Sequence, residues 1–229
     1  MKIYNGEKAI ISLTSWKARI NTVGKTLYSL LKMCPGFHIV LVLSEEEFPK
    51  KEEELPEELM LFVDNDLIEI LWVYKNYKAF KKVLFTMDKY RDVPVISADD
   101  DCIYLRNYAQ DFYDEWLKNK DCFISCWGKE YKNFNNGYTT NTAGAATLYP
   151  PFVFGESAID ILEKNKIYEL TNQDDDYLYC LKKKFGLKKA KKIGNYKKIY
   201  LFHDEEKPLK EERKKNESFE KRLEKIKIN

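Results

Sequence analysis

A short apolar run ends in three consecutive aspartates at Val93-Pro94-Val95-Ile96-Ser97-Ala98-Asp99-Asp100-Asp101. A run of this length is typical of a buried strand, and the chain surfaces where the polar residues begin. Carboxylates massed at one point repel each other, which favours a bound divalent cation with oxygen ligands. In open α/β sheets, ligands bind at the carboxyl ends of the strands. These three residues, here called the acidic triplet, therefore predict a metal-assisted site for a phosphate-bearing ligand.

The composition indicates one globular domain. A chain of 229 residues with 44% hydrophobic content can bury a core of its own. The longest aliphatic run, residues 39–43, is too short to cross a bilayer, and the N-terminus lacks the basic and then apolar order of a signal peptide. We therefore expect a cytoplasmic protein. Five cysteines without zinc-type spacing, beside only two histidines, predict reduced and mostly buried thiols.

The charge is divided unequally along the chain. Residues 1–181 carry 21 Lys and Arg against 29 Asp and Glu, whereas residues 182–229 carry 18 against 8, so a net charge of −8 is followed by one of +10. Such a basic segment is typical of proteins that meet nucleic acid, an anionic membrane surface or a phosphorylated substrate. The chain is expected to form a single domain over residues 1–204, followed by a charged surface helix over residues 205–229.

Apolar strands alternate with amphipathic helices through most of the chain. Strands are predicted over residues 8–14, 38–43, 67–74, 93–98, 122–127 and 198–202. Helices are predicted after residue 20 and over residues 77–90, 107–119, 156–165 and 175–185. Acidic residues 44–58 read as a solvated loop with a short helix, and polar residues 128–144 as a long loop near a ligand. The alternation predicts an α/β fold with a mostly parallel sheet covered by helices.

Polar residues also follow the first strand, in the stretch that contains Ser12, Thr14, Ser15 and Arg19. In a strand-to-helix turn, such side chains can bind a nucleotide and the helix N–H groups can face an anion. Ser15 is also expected to cap the helix that follows. There is no glycine-rich phosphate loop, so phosphates require a metal and basic side chains. The candidates stand at the start of the helix that precedes the acidic triplet; they are Tyr77, Lys78, Lys81 and Lys82, of which Lys78 is selected.

Two further features could belong to the same site. A second triplet, Asp174-Asp175-Asp176, precedes a helix; one carboxylate suffices for capping, so Asp174 or Asp175 could serve as a general base. His203 follows an apolar strand and could add a nitrogen ligand to a manganese-like ion, although an isolated histidine is more often structural. The small residues 142–146, before Leu148-Tyr149-Pro150-Pro151, fit either the close approach of a ligand or tight packing.

Five segments taken together resemble bacterial glycosyltransferases of the GT-A fold that build surface polysaccharides, including capsule and lipooligosaccharide. The resemblance covers roughly residues 8–185. The segments are Ser12-Leu13-Thr14-Ser15 with Arg19-Ile20-Asn21, Leu43-Ser44-Glu45-Glu46-Glu47-Phe48-Pro49, Ala98-Asp99-Asp100-Asp101 with Tyr104, Leu148-Tyr149-Pro150-Pro151, and Asp174-Asp175.

The resemblance implies a nucleoside-diphosphate sugar as donor, with UDP the favoured nucleotide, and a glycan or lipid-linked acceptor. It implies a Mn²⁺ or Mg²⁺ ion at a DxD-type motif, in which Asp101 is the favoured metal ligand and Asp99 lies nearer the ribose. It also places Thr14 and Arg19 in the nucleotide-binding loop, and the base of an inverting enzyme at Asp174 or Asp175.

Other functions are compatible with the same residues. A nucleotidyltransferase uses carboxylates at the end of a sheet with similar metal chemistry. A nucleic-acid-binding protein would use the basic C-terminal segment, but its lysines are interleaved with glutamates, which is typical of a salt-bridged surface helix, so no nucleic acid is expected. Peripheral contact of the same segment with the inner face of the cytoplasmic membrane is compatible with a lipid-linked acceptor.

Overall fold

The structure is a computed structural model of the whole chain. It describes residues 8–126, 129–130, 139–140, 146–155, 157–171, 173–186, 190–202 and 219–226. The strands are β1 (Ile10–Thr14), β2 (His38–Ser44), β3 (Glu69–Val73), β4 (Val95–Ser97), β5 (Cys102–Tyr104), β6 (Phe123–Ser125), β7 (Lys129–Glu130), β8 (Thr139–Thr140), β9 (Thr147–Tyr149), β10 (Ala190–Lys192) and β11 (Tyr200–Phe202). The α-helices are α1 (Val23–Met33), α2 (Glu57–Asp64), α3 (Lys81–Lys89), α4 (Tyr108–Lys118), α5 (Ser157–Lys164), α6 (Ile167–Leu170), α7 (Asp174–Lys184) and α8 (Phe219–Lys225). Short 3-10 helices cover Lys51–Glu54, Lys78–Phe80 and Tyr196–Lys198.

Among the described strands, seven form one central sheet in the order β10-β6-β9-β4-β1-β2-β3. Neighbouring strands are parallel, except that β9 runs antiparallel to both β4 and β6. β5 and β11 form a separate antiparallel pair, as do β7 and β8. The predicted α/β fold with a mostly parallel sheet is confirmed.

Helices cover both faces of the central sheet. One face packs against α1, α2 and α4 through side chains that include Leu27, Leu59 and Phe112. The other face packs against α3, α5 and α7 through side chains that include Leu84, Leu162 and Leu178. Strands β1 and β2 are buried on both faces, which is why they appear in the sequence as continuous apolar runs.

Several predicted elements differ from those observed. Strand β9, which contains Leu148 and Tyr149, was not predicted, because its three residues are too few to show a strand period. The predicted loop over 128–144 contains the paired strands β7 and β8. The helix predicted over 156–165 is followed, after Lys166 at φ +47°, by the separate helix α6. In the described part of the predicted C-terminal helix, α8 forms a single short helix whose neighbour Ile226 is buried in the core.

The described helices include none that is both long enough and apolar enough to span a membrane. All five cysteines are free thiols, and all but Cys180 are buried, as the composition predicted.

Candidate functional site

The acidic triplet lies at the carboxyl edge of the central sheet, directly after β4. β4 pairs with β1 so that Ser97 lies beside Ser12, and Ala98 continues the pairing by donating its N–H to the Ser12 carbonyl. This pairing brings the residues after β1 next to the triplet. The strand order alone therefore places two of the predicted motifs side by side.

Asp100 is the buried member of the triplet and is fully engaged with the protein. Its carboxylate accepts a hydrogen bond from Ser15 Oγ at 2.7 Å and one from Arg19 Nη1 at 2.7 Å. The Asp100 carbonyl accepts from Thr26 Oγ1 on α1 at 2.8 Å. Burial raises the pKa of Asp100, and the Arg19 guanidinium and the Ser15 hydroxyl oppose that rise. Asp100 therefore holds the strand-to-helix turn against the triplet.

The sequence predicted that Ser15 caps the following helix, and this prediction is wrong. Helix α1 begins only at Val23, and its N-cap residue Thr22 makes no side-chain capping bond. The Ser15 hydroxyl donates to Asp100 instead, because the intervening turn carries the chain across the triplet before the helix begins.

Asp99 and Asp101 are the more accessible members of the triplet. Their side chains are 28% and 17% exposed, compared with 9% for Asp100. Asp101 Oδ2 lies 3.0 Å from Arg19 Nη1, and the Asp99 N–H donates to the Tyr104 hydroxyl. Burial raises the pKa of Asp101, and the neighbouring Asp99 carboxylate raises it further. These two carboxylates are the groups of the triplet that a ligand could reach.

The donor atoms of Asp99, Asp101 and Cys102 lie within 4.8 Å of one another. Burial raises the pKa of the Cys102 thiol, so this group stays protonated and is a poor metal ligand at neutral pH. The two aspartates supply hard oxygen donors, which suit Mg²⁺ or Mn²⁺. The chemistry of the donor set therefore fits the divalent cation that the sequence resemblance implies.

Lys82 connects the triplet with the second acidic motif. Its Nζ lies 2.5 Å from Asp99 Oδ1 and 3.6 Å from Asp174 Oδ2, and its side chain is only 8% exposed. Asp174 Oδ2 is buried and has no hydrogen-bond partner among the described residues. Burial raises the pKa of Asp174; Lys82 opposes that rise and Asp99 adds to it. Two motifs that are far apart in the sequence thus meet at one ammonium group.

Helix α7 begins at Asp174, so Asp174, Asp175 and Asp176 all lie in its first turn. Negative charge is favourable there because of the helix dipole. Asp175 is half-buried beside Asp174, and its charge helps to keep Lys82 protonated, since it raises the pKa of that amine.

The structure places one of the predicted nucleotide contacts, Ser12, inside the protein and engages the hydroxyl of another, Thr14, within the sheet. Ser12 is completely buried, and its Oγ donates to the Lys82 carbonyl at 2.5 Å and lies 2.7 Å from Thr86 Oγ1. Ser12 therefore belongs to the packing of β1 on α3 rather than to the edge where a nucleotide would lie. Thr14 is at the edge, but its hydroxyl donates to the Val42 carbonyl at 2.7 Å and so joins β1 to β2.

The lysine chosen from the sequence differs from the one that meets the triplet. Lys78 is exposed, has a φ of +53°, and its N–H donates to Asn76 Oδ1. Helix α3 begins only at Lys81, and its first turn directs Lys82 to the carboxylates and Lys81 to Glu47 Oε2 at 3.0 Å. The run of lysines was visible in the sequence, but the residue at which the helix begins was not.

His203 and residues 142–145 lie outside the described residues. Trp16, in the turn after β1, carries a buried indole N–H without a hydrogen-bond partner in the described part of the chain. A buried donor without a partner is costly. The indole N–H of Trp16 is therefore a candidate contact for a ligand.

No protein-family model matches this sequence, and no curated protein matches it. Among solved structures, the chain is similar to S. aureus TarS 1–349 in complex with UDP, with a TM-score of 0.52, 13% identity, and coverage of 84% of this chain and 59% of that chain. It is similar to a 4-diphosphocytidyl-2C-methyl-D-erythritol synthase with a TM-score of 0.51, 10% identity, and coverage of 86% and 94%. The Streptococcus pneumoniae glycosyltransferase GlyE matches with a TM-score of 0.49, 15% identity, and coverage of 82% and 45%.

At these identities the similarity shows the fold, which is the GT-A-like α/β architecture that the sequence predicted. The chain spans less than two thirds of TarS 1–349 and less than half of GlyE, and nearly all of the synthase.

Proposed function

We propose that this protein is a metal-dependent glycosyltransferase that moves a sugar from a nucleoside-diphosphate donor to a hydroxyl group of a glycan or lipid-linked acceptor. The observation that carries the proposal is the meeting of two acidic motifs at Lys82, at the carboxyl edge of a mostly parallel sheet. The acidic triplet offers the carboxylates of Asp99 and Asp101, which a metal could reach. The second motif offers the carboxylate of Asp174, which could accept a proton. The acceptor class and a role in surface polysaccharide synthesis come from the sequence resemblance.

Asp99 and Asp101 are the residues that would hold Mn²⁺ or Mg²⁺, and His203 is a candidate for a further ligand. When bound, the cation supplies Lewis-acid stabilisation of the negative charge that develops on the departing diphosphate. In the described part of the chain, the carboxylates of Asp99, Asp100, Asp101 and Asp174 outnumber the two cations, Arg19 and Lys82, that form ion pairs with them. A divalent cation supplies the missing charge.

The transfer needs an acceptor hydroxyl that attacks the anomeric carbon of the sugar. The new bond joins the acceptor oxygen to that carbon, and the bond from the carbon to the diphosphate oxygen breaks with its electron pair going to the diphosphate. If the configuration inverts, the proton of the hydroxyl passes to Asp174 or Asp175. Asp174 suits this role because its carboxylate lies beside the proposed metal site, 3.6 Å from the Lys82 ammonium that contacts Asp99.

The nucleotide is expected to lie over the turn after β1. Asp100 and Arg19 fix this turn, and Thr14, Ser15 and Trp16 border it. UDP is the favoured nucleotide because the sequence resemblance implies it and the fold is shared with TarS, which was solved in complex with UDP.

Ligand-induced thermal stabilisation tests the donor directly, since a ligand that binds only the folded state raises its melting temperature. UDP-, GDP-, CMP- and dTDP-sugars are compared with and without Mn²⁺. One nucleotide is expected to raise the melting temperature only when Mn²⁺ is present, and incubation with an acceptor glycan should then release the diphosphate. Absence of a metal-dependent shift for every nucleotide would contradict the proposal.

A nucleotidyltransferase is the second candidate, and one observation favours it: the synthase of similar fold is matched over 94% of its length. Such an enzyme would join a nucleoside triphosphate to a sugar phosphate and release pyrophosphate. Supplying these two substrates with Mg²⁺ and measuring pyrophosphate distinguishes the candidates, because sugar transfer from a diphosphate donor releases none.

A further inference from the structure

Lys82 forms an ion pair with the carboxylate of Asp99, which a metal would need as a ligand. Its Nζ lies 2.5 Å from Asp99 Oδ1, and Asp99 is the most exposed member of the acidic triplet. Arg19 makes the corresponding contacts with Asp100 and Asp101. Lys82 also reaches a carboxylate outside the triplet, because its Nζ lies 3.6 Å from Asp174 Oδ2.

The distance to Asp174 is that of an ion pair without a hydrogen bond. Asp174 Oδ2 is buried and has no hydrogen-bond donor among the described residues, so a shorter contact with Lys82 would satisfy it. A shift of the flexible lysine side chain by about an ångström would be enough to form a charge-assisted hydrogen bond. The same shift would lengthen the 2.5 Å contact with Asp99 Oδ1 to at most about 3.5 Å, which would weaken that ion pair and leave Asp99 open to another cation.

We propose that Lys82 is a positioning residue that competes with a divalent cation for Asp99 and is transferred to Asp174 when that cation binds. Lys82 compensates the triplet in the metal-free protein, and it holds the carboxylate of Asp174 in the metal-loaded protein. Loading of the donor site thereby sets the position of the proposed base. The inference rests on the proposed metal site, and its test uses Mn²⁺ alone, without a sugar donor.

The first experiment measures Mn²⁺ affinity of the full-length protein by the loss of the electron paramagnetic resonance signal of free Mn²⁺. Lys82→Met removes the competitor and should bind Mn²⁺ about ten-fold more tightly than the wild type, a change of ~1.4 kcal/mol. Lys82→Arg keeps the charge and should bind more weakly than Lys82→Met. Lys25→Met removes an exposed lysine of α1 and should stay close to the wild type. Equal or weaker binding by Lys82→Met would overturn the inference.

A second experiment distinguishes the transfer of Lys82 to Asp174 from a general effect of charge on Mn²⁺ affinity. Asp174→Asn removes the alternative partner, so Lys82 should compete more strongly and Mn²⁺ binding should weaken several-fold. In the Lys82→Met background, the same change should weaken binding much less. Equal weakening in both backgrounds would show that Asp174 acts on the metal without Lys82, and would contradict the transfer. Circular dichroism and melting temperatures establish that each variant is folded.

The outcome is independent of the proposed sugar transfer. If Lys82→Met binds Mn²⁺ more tightly while no nucleotide sugar binds, the inference stands and the proposed function fails. If a nucleotide sugar binds with Mn²⁺ while Lys82→Met leaves the Mn²⁺ affinity unchanged, the proposed function stands and the inference fails.

Discussion

The Lys82 ammonium lies 2.5 Å from a carboxylate oxygen of Asp99, and so a protein cation compensates the residue that a metal would bind. The sequence suggested that repulsion among the aspartates is relieved by a bound ion. In the structure, Lys82 and Arg19 relieve a large part of it. The triplet therefore already has two protein cations beside it, and a bound metal would add to the positive charge that these supply.

Asp101→Asn should abolish metal-dependent donor binding while the fold is kept. The substitution removes a charged oxygen ligand, and we expect Mn²⁺ affinity to fall roughly ten-fold or more, since ligand charge sets affinity at such sites. The measurement is the thermal shift produced by Mn²⁺ with UDP. Asp92→Asn, in the exposed turn before β4, is the matched control and should behave like the wild type. An unchanged shift in Asp101→Asn would remove Asp101 from the metal site.

Arg19→Met should destabilise the fold strongly. Arg19 and Asp100 are both buried, and loss of one partner of a buried ion pair costs about 3 kcal/mol because the other charge stays uncompensated. Urea unfolding at neutral pH measures this cost. Lys17→Met, which affects an exposed pair with Glu54, should change stability by less than about 1 kcal/mol.

The double variant Arg19→Met with Asp100→Asn is the check on this explanation. Because the uncompensated charge of Asp100 is then absent, although that of Asp101 remains, part of the lost stability should return. No recovery would mean that packing of the arginine side chain, rather than charge, accounts for the cost.

Lys182→Met should stabilise the protein. The Lys182 amine is buried above the Phe123 ring, at 4.4 Å from the ring centroid, and has no hydrogen-bond partner among the described residues. Burial lowers the pKa of Lys182 to about 7 from its ordinary value of 10.5, while Asp175 opposes that fall. Between about pH 7 and pH 10.5 the unfolded chain binds more protons at Lys182 than the folded protein does. The free energy of unfolding of the wild type therefore rises with pH over this range.

The stabilisation should therefore depend on pH in one direction. Lys182→Met should gain about 5 °C in melting temperature below pH 7, and the gain should shrink as the pH rises above 7. Lys183→Met changes the exposed neighbour on the same helix and should show no such dependence. A gain that grows with pH would contradict the assigned pKa shift.

Glu69→Gln should lower stability at neutral pH and have no effect in strong acid. Burial alone raises the pKa of Glu69, but hydrogen bonds from His38, Lys89 and Tyr90 outweigh it and lower the pKa to about 2 from 4.5. The stabilisation from this depressed pKa is complete above pH 4.5 and is lost as the pH falls to about 2.

Urea midpoints at pH 7 and at pH 2 test this dependence. At pH 7 the variant should be less stable by roughly 2 kcal/mol, and at pH 2 the two proteins should coincide. Glu53→Gln, at an exposed position, should match the wild type at pH 7. A difference that persists at pH 2 would assign the effect to geometry instead of charge.

The strands that lie in apolar runs were predicted, including the short β4, β6 and β11, whereas the short strands β5, β9 and β10 were not. β1 and β2 are five and seven residues long and buried on both faces, so their runs of aliphatic residues stand out from the surrounding sequence. β9 and β10 have three residues each, and such short strands are defined by the partner that they pair with. The antiparallel direction of β9 could therefore not be predicted from the sequence and is seen only in the assembled sheet.

The site divides in a similar way. The position of the acidic triplet after a buried strand was readable, because a change from apolar to charged residues marks the end of a strand. The choice between Lys78 and Lys82 was not readable, since a difference of four residues in a lysine-rich run depends on where α3 begins.

The amino-acid sequence by itself determined the alternation of strands and helices, and with it the edge of the sheet at which acidic residues collect. These properties follow from local apolar patterns and from the chain direction of parallel strands. Only the tertiary structure decided which charges meet: Arg19 with Asp100, and Lys82 with both Asp99 and Asp174. Such pairs join residues that are distant along the chain, and the strength of an ionic contact depends on distance and burial, which the order of residues does not contain.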